Sequence, residues 1–481
     1  MLIFSLVMFM WKRKPNPEKK VTAENYVGYT AIEIANNSAF CIMSSYLAIY
    51  CSDILKMPGA VISAIMIIAK IWDCVADPII GSIVQRRQIG KKGKYRPLFR
   101  LAGYPLALVM VLMFVKISDN LTFNTFWVAL LYVLYGTLYT FISVPYGSLA
   151  NIMTQRDEER SSLSVCRSIG GGIGIYPTLF FPVLVMTAGV DKNQMNAEYM
   201  AIGMAIVGFL MFLCYTGGYN SFTEEPGYER DLNLDSTHQK TSLLGTFKRI
   251  IKNKAFVIMC CLTCILLATQ MYSNTVTIYI FKDYFQNSAL NTIYTLATYL
   301  PMIIFIPFSN KLITKFGKKE TSLVGLSVAT LSTFLLFVLP IGKDDAWLFI
   351  VLSILNSLGV GFTSLQTWSF AADIIDHDEW VTGVREEAAD FAFFTFMRKI
   401  GQAIASLAPW IVSLVGYDSQ KVGSGISQSE PVLNGMYDIA TLIPFVFRIV
   451  VLVLMVFYPL NKKTTEKMHK ELEERRKSYK A

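Results

Sequence analysis

Long apolar runs, separated by short polar segments, dominate the chain between Tyr26 and Tyr458. Most are close to the roughly 20 residues that a helix needs to cross a bilayer core of about 30 Å. They are apolar on every face, as in Leu101–Val115, and lack the strict alternation of membrane barrel strands. The pattern predicts an all-α polytopic membrane protein. Twelve spans are expected, near residues 26–51, 60–82, 101–115, 123–149, 163–188, 200–218, 255–281, 291–308, 323–341, 347–372, 391–415 and 433–458.

A long polar stretch divides these spans into two sets of six. It predicts a cytoplasmic leader (1–25), an N-terminal six-helix half (26–218), a central cytoplasmic loop (219–254), a C-terminal six-helix half (255–459) and a cytoplasmic tail (460–481). One short repeat supports two halves, because Gly90-Lys91-Lys92 after span two recurs as Gly317-Lys318-Lys319 after span eight. This arrangement is similar to the duplicated plan of major facilitator transporters.

Composition and charge agree with a membrane protein. Of 481 residues, 53% are hydrophobic and 16% are charged, which leaves too little polar surface for a soluble globule of this size. The net charge of +9 does not indicate nucleic-acid binding, because most Lys and Arg lie in one alternate set of loops and in the tails. This positive-inside pattern predicts that both termini are cytoplasmic.

The apolar segment Met1–Phe9 is too short to span a membrane and lacks the features of a signal peptide. Translation from Met10 would give an ordinary basic leader, so no function is assigned to this segment, and N-terminal sequencing of the native protein would test the start.

Scarce histidine and scattered cysteine argue against a zinc protein or an enzyme. The chain has three His, and its eight Cys lie mostly within apolar runs, where they are expected to be packing residues. No nucleophile-base constellation and no channel constriction can be recognised. The remaining class is a transporter, with no cofactor other than a coupling cation.

The sharpest chemical signal is in span two, where Asp73 and Asp77 lie four residues apart and so on one helix face. A carboxylate inside a membrane is costly and needs a partner or an ion. One interpretation is a buried ion pair with Lys70 or Lys399. The other is that the two aspartates coordinate Na⁺, and so act as metal ligands, or take up H⁺.

Other polar residues within spans are candidates for substrate contact. Asn37 lies four residues after Glu33 in span one, while Asn36 could equally bond to a neighbouring helix. Arg167 in span five could donate two hydrogen bonds to hydroxyls or a carboxylate. In span eleven, Lys399 is expected to face the cavity and Arg398 to point elsewhere.

Aromatic side chains within apolar spans are mostly packing residues, but a ring can bind the flat C–H face of a sugar. Tyr139, Tyr146 and Trp368 are the candidates here.

Four sequence segments resemble the glycoside-pentoside-hexuronide:cation symporter family, a branch of the major facilitator superfamily. They are the span-two segment Lys70-Ile-Trp-Asp73-Cys-Val-Ala-Asp77-Pro78 with the loop Gly93-Lys94-Tyr95-Arg96-Pro97, the span-four segment Val144-Pro145-Tyr146-Gly147-Ser148-Leu149, the loop Thr382-Gly383-Val384-Arg385 with Glu387, and Arg398-Lys399-Ile-Gly401-Gln402-Ala403-Ile404. The resemblance covers nearly the whole chain after Tyr26. It implies the twelve-span fold, with a substrate site between the two halves near the membrane midplane.

The resemblance also implies roles for individual residues. By analogy with the family's melibiose carriers, Asp73, Asp77 and Thr140 would form the cation site, with Lys399 beside them. Sugar-binding positions would be Asn37, Tyr139, Ser143, Arg167 and Thr395.

Two departures from the melibiose carriers concern substrate and ion. Those carriers have acidic residues where this chain has Asn37 and Ser143, whereas Ala35-Asn36-Asn37, Trp368 and Arg398-Lys399 are more similar to glucuronide and pentoside carriers. The sequence therefore predicts a monomeric symporter in a bacterial inner membrane that imports a sugar or glycoside, a glucuronide or pentoside foremost, with H⁺ or Na⁺. The alternatives are another small-molecule substrate on the same fold, or export.

Overall fold

A computed structural model describes residues 21–86, 95–153, 157–179, 196–221, 252–383, 387–418 and 428–480. The regular structure of these ranges is helical. Several predictions concern segments outside the described residues, namely the leader up to residue 20, the Gly90-Lys91-Lys92 repeat, residues 180–188 of the fifth span, and most of the central loop.

The described helices form two compact units. In the first, α1 packs against α6 and α7, α2 against α5, and α4 against α5 and α7. Its helices are α1 (Ala23–Asp53), α2 (Gly59–Arg86), α3 (Arg96–Leu101), α4 (Gly103–Met113), α5 (Leu121–Met153), α6 (Asp157–Ile173) and α7 (Ala197–Ser221).

The second unit is built around an apolar core that includes Phe256, Leu326, Phe370 and Val451, from α8, α10, α11 and α14. The helices α10 and α11 pack together, and α8 packs against both α12 and α14. The helices are α8 (Lys254–Tyr279), α9 (Ala289–Phe316), α10 (Lys318–Val338), α11 (Ala346–Thr382), α12 (Glu387–Ala405), α13 (Ala408–Leu414), α14 (Glu430–Phe457) and α15 (Lys462–Lys480).

Each of the twelve predicted spans lies on described helix for most or all of its length. Eight described segments are long and apolar enough, by length and composition, to cross a membrane. The first predicted span, α1, is less apolar because it carries Glu33, Asn36 and Asn37, and α6 is both short and polar.

Among the interrupted spans, the third and the eleventh are each divided between two of these helices, and proline explains both breaks. The third span is interrupted at Ala102, since Pro105 has no N–H to donate to the carbonyl of Leu101. The eleventh is interrupted between α12 and α13, where Pro409 cannot donate to the carbonyl of Ala405.

Two further segments, the end of the seventh span and the tail, have helical structure that was not predicted. The α8 helix continues into a π-helical turn, Ile280–Tyr284. The tail, expected only to be basic and cytoplasmic, forms α15, which packs against α10 and α11. Met468 is fully buried in this contact, and the Trp380 indole donates a hydrogen bond of 2.7 Å to Glu471.

Candidate functional site

The two faces of α2 are chemically different. Ile71, Val75 and Ile79 are each more than half exposed and form an apolar face suited to lipid. Asp73 and Asp77 are each two residues, or about 200°, away from these positions. They therefore lie on the opposite side of α2, and α2 packs against α5.

Asp73 is held by a salt bridge within its own helix. The Lys70 ammonium lies 3.2 Å from Asp73 Oδ2. This is one of the two ion pairs that the sequence left open. The carboxylate also lies close to the backbone of α5, because a Cβ atom added at Gly136 would come within 2.1 Å of Asp73 Oδ1.

Asp77 contacts α5 through a hydrogen bond, in which the Thr140 hydroxyl donates to Asp77 Oδ1 at 2.9 Å. Thr140 is buried. One turn away, the indole of Trp72 donates to the Thr137 hydroxyl at 2.9 Å and links the same two helices. The α2–α5 contact thus brings together three of the four residues predicted for the cation site.

The asparagines of α1 have distinct partners. Asn37 Nδ2 donates to the carbonyl of Gly171 on α6 at 2.5 Å. Asn36 is buried, and its Oδ1 accepts a hydrogen bond of 2.8 Å from the Tyr215 hydroxyl on α7. Asn36 therefore bonds neighbouring helices, as one of its two interpretations expected, while Asn37 lies where α1 meets α6.

Arg167 lies beside this contact and combines charge with aromatic rings. Its Nε is 3.8 Å from Glu33 Oε2, and its guanidinium lies 5.3 Å from the centroid of the Tyr146 ring. Tyr146 in turn stacks on Tyr29 with centroids 4.5 Å apart. Half of the Arg167 side chain is exposed, so the guanidinium is positioned by a carboxylate and a ring while still accessible to a ligand.

The remaining first-unit candidates are on α5. Tyr139 is partly buried and stacks on Tyr135, with centroids 5.9 Å apart. Ser143 donates to the carbonyl of Thr140 at 3.5 Å, which places its hydroxyl one turn beyond the Asp77 contact.

Three candidates belong to the second unit. Thr395 and Lys399 lie on α12, and both side chains are partly exposed, as is that of Arg398. Trp368 lies on α11, but its side chain is outside what the structure describes.

Sequence reasoning missed two first-unit residues that shape this site. Tyr29 was not singled out, although it precedes Glu33 by one helical turn and stacks on Tyr146. Gly136 was also missed, because only the tertiary contact shows that its lack of a side chain makes room for Asp73.

A comparison with protein families identifies the chain. The family described as MFS/sugar transport protein matches residues 28–462. The chain belongs to this family. It is accordingly a multi-pass membrane transporter of the major facilitator superfamily and not an enzyme, and the resemblance to the glycoside-pentoside-hexuronide:cation symporters is confirmed.

Two curated relatives of this sugar transporter come from Escherichia coli (strain K12). A protein named as a 2,3-dihydroxypropane-1-sulfonate exporter is 28% identical, over 94% of this chain and 96% of the relative. A glucuronide carrier protein homolog is 27% identical, over 94% of this chain and 95% of the relative.

A solved structure shows the same fold. The nucleoside transporter NupG aligns with a TM-score of 0.62 and 14% identity, over 90% of this chain and all of that one. At this identity the likeness concerns the helical architecture alone, and it agrees with the major facilitator fold that the resemblance to the symporter family implied.

Proposed function

We propose that this transporter is a secondary active symporter that imports a sugar or glycoside, a glucuronide or pentoside foremost, with H⁺ or Na⁺ across a bacterial inner membrane. The carboxylate pair on α2 carries the proposal. Asp73 and Asp77 lie on the face of α2 that packs against α5, beside Lys70 and the Thr140 hydroxyl. Intramembrane carboxylates so arranged are typical of ion and proton pathways.

The proposed coupling ion is H⁺, with Na⁺ as the alternative. Sodium prefers several hard oxygen ligands, and the two positions with acidic residues in melibiose carriers are Asn37 and Ser143 here. Lys70 already provides a positive charge beside Asp73. A proton needs no such ligand shell, because a single carboxylate oxygen can bind it.

The proposed substrate contacts are Asn37, Tyr139, Ser143 and Arg167 in the first unit, with Trp368 and Thr395 in the second. Arg167 supports a hydroxyl-rich or anionic substrate, because the guanidinium of this half-exposed side chain can donate parallel hydrogen bonds to vicinal hydroxyls or to a carboxylate. The replacement of acidic residues at Asn37 and Ser143 lowers the negative charge of this region, which favours a hexuronide over a neutral galactoside.

Export is the second candidate, and one observation favours it. The relative named as an exporter of a sulfonate is as similar to this chain as the glucuronide carrier homolog is. Import and export share the fold and differ in which gradient drives net movement, so transport measurements distinguish them.

We expect a radiolabelled glucuronide to accumulate in right-side-out membrane vesicles under an inward pH gradient in sodium-free buffer. Coupling requires that the cation bind with the substrate, so uptake should collapse when a protonophore dissipates the gradient. Vesicles without the transporter provide the control.

Two results would correct parts of this proposal. Uptake that follows a Na⁺ gradient at clamped pH would replace H⁺ by Na⁺, and stronger competition by a pentoside than by a glucuronide would change the substrate class. Net efflux from preloaded vesicles, with no gradient-driven uptake of any glycoside, would favour the exporter.

The charge distribution predicts the orientation, with loops 85–100 and 219–254 in the cytoplasm and loop 416–431 outside. In a variant whose native cysteines are replaced, we expect Lys240→Cys to be inaccessible to an impermeant maleimide in intact cells. Ser424→Cys should label under the same conditions. Labelling of Lys240→Cys from outside would reverse the proposed orientation, and permeabilised cells control for reactivity.

A further inference from the structure

Arg448 is a charged residue inside a very apolar helix. It lies on α14, whose most apolar 18-residue stretch has a mean hydropathy of 2.7, the highest among the eight candidate spans. Its side chain is 4% exposed. The proposed cation and sugar contacts do not include it, so its position calls for a separate explanation.

The guanidinium has one hydrogen bond to a neighbouring helix. Arg448 Nε donates to Asn356 Oδ1 on α11 at 3.2 Å. Nη1 is buried and has no hydrogen-bond partner within the described part of the chain. The described carboxylates form no ion pair with Arg448 either; its one described electrostatic neighbour is the Tyr294 hydroxyl on α9.

An unpaired guanidinium is costly inside a membrane protein. Arg carries five donors and stays charged, so burial without an anionic partner is unfavourable. Charged residues within spans accordingly pair with one another or mark the path of a substrate or ion. The described chain supplies one hydrogen-bond acceptor, the Asn356 amide oxygen, and no negative charge. A bound anionic ligand would supply both the further acceptors and the negative charge that Arg448 lacks.

The surroundings of Arg448 are polar and suit an anion. The Asn356 amide is hydrogen-bonded to the guanidinium, and the Tyr294 hydroxyl is its electrostatic neighbour. Asn356 is only partly buried, so a solute that contacts its amide is close to the guanidinium. A planar guanidinium beside amide and hydroxyl groups matches a carboxylate, which accepts two parallel hydrogen bonds from Arg.

We propose that Arg448, together with Asn356, forms a binding site for a singly charged anionic group of the substrate, such as a carboxylate. The inference rests on the proposed sugar transport function and deepens it, because it assigns a specificity-determining residue for an acidic sugar. A free inorganic anion could bind to the same groups. The experiment therefore distinguishes an anion from solution from the carboxylate of the substrate.

The test compares two probes that differ in one group. Binding of p-nitrophenyl β-D-glucuronide and of p-nitrophenyl β-D-glucoside is measured on the purified full-length transporter, wild type and Arg448→Met. Loss of a charge-assisted hydrogen-bond pair should weaken glucuronide binding by about ten- to hundredfold. Glucoside binding should change less than about threefold, which also shows that the variant is folded.

Two further variants keep the proposal testable if Arg448→Met does not fold. Arg448→Lys retains the charge without the planar fork and should preserve part of the preference for the glucuronide. Lys343→Met removes a partly exposed positive charge, paired with Glu430, from the same unit and should leave both affinities unchanged. An equal loss for both probes in each Arg448 variant would mean that Arg448 only tethers α14 to α11, and would overturn the proposal.

The source of the anion is tested by replacing chloride with a larger anion in the same binding assay. Binding of either probe that needs chloride in the wild type, but not in Arg448→Met, would place a free anion at the site and overturn the proposal. If the wild type neither binds nor transports any glycoside, the proposed function itself fails. Tight binding of the glucoside alone rejects only this inference.

Discussion

Asn in place of Asp77 or Asp73 is expected to abolish gradient-driven accumulation of substrate while leaving the protein in the membrane. Asp77 Oδ1 accepts a hydrogen bond from Thr140 at 2.9 Å, and Asp73 pairs with Lys70 at 3.2 Å. Asn is almost isosteric with Asp but cannot take up a proton or offer a charge to a metal ion. The bound cation supplies the driving force, so a variant that lacks it only equilibrates its substrate.

The expected loss is large. One H⁺ carried with a monoanionic glucuronide moves no net charge, so the pH gradient alone supplies the driving force. A gradient of one pH unit provides about 1.4 kcal/mol, which sustains a concentration ratio of roughly ten. The accumulation ratio of the variants should fall from that order to about one, as measured by radiolabelled uptake in vesicles at a fixed pH gradient.

Asp119→Asn is the matched control. Asp119 lies in the loop between α4 and α5, and its side chain is 95% exposed, so the same change removes a carboxylate far from any helix contact. It should accumulate substrate as the wild type does. Normal accumulation by both Asp73→Asn and Asp77→Asn would remove these residues from the cation site.

Gly136→Ala is expected to cut cation-coupled uptake at least about tenfold through a single methyl group. The Cβ atom would lie 2.1 Å from Asp73 Oδ1, a distance that forces the carboxylate or the α5 backbone to move. Overpacking of this kind typically costs about 1–3 kcal/mol, and moving the carboxylate also disturbs its pair with Lys70. Initial uptake rates at matched expression measure the effect.

A second glycine of α5 provides the comparison. A Cβ atom at Gly147 meets no other atom within 4 Å, so Gly147→Ala makes the same chemical change in the same helix without a collision. It should transport within about twofold of the wild type. Equal activity of the two alanine variants would show that the α2–α5 contact tolerates displacement and that Asp73 need not be held where it is.

Several features of the fold were predictable from the chain alone. Apolar runs of membrane length determine helices, because a backbone in lipid must satisfy its own hydrogen bonds. The breaks in the third and eleventh spans were missed, although Pro105 and Pro409 provide a local reason for each. The tail helix α15 was not predicted, because its sequence is strongly polar and has no apolar run of membrane length. Pairs four residues apart, such as Lys467–Glu471, are the local signal for it.

The candidate site, like the fold, could be predicted from the sequence only in part. Asp73 and Asp77 were recognised without a structure, because carboxylates in an apolar span are rare and their spacing fixes a common helix face. Lys70 was an evident partner of Asp73, because a spacing of three residues places both on the same helix face. Their roles in cation coupling stay predictions.

Only the tertiary structure decided which residues from distant parts of the chain meet. Thr140 contacts Asp77 across 63 positions, and Asn37 contacts Gly171 across 134. Helical periodicity determines which face a residue occupies, but not which helix lies opposite, at what height, or at what distance. The fit of Asp73 against Gly136 and the burial of Arg448 beside Asn356 depend on those three quantities, since packing between helices, and not the pattern within any one of them, sets them.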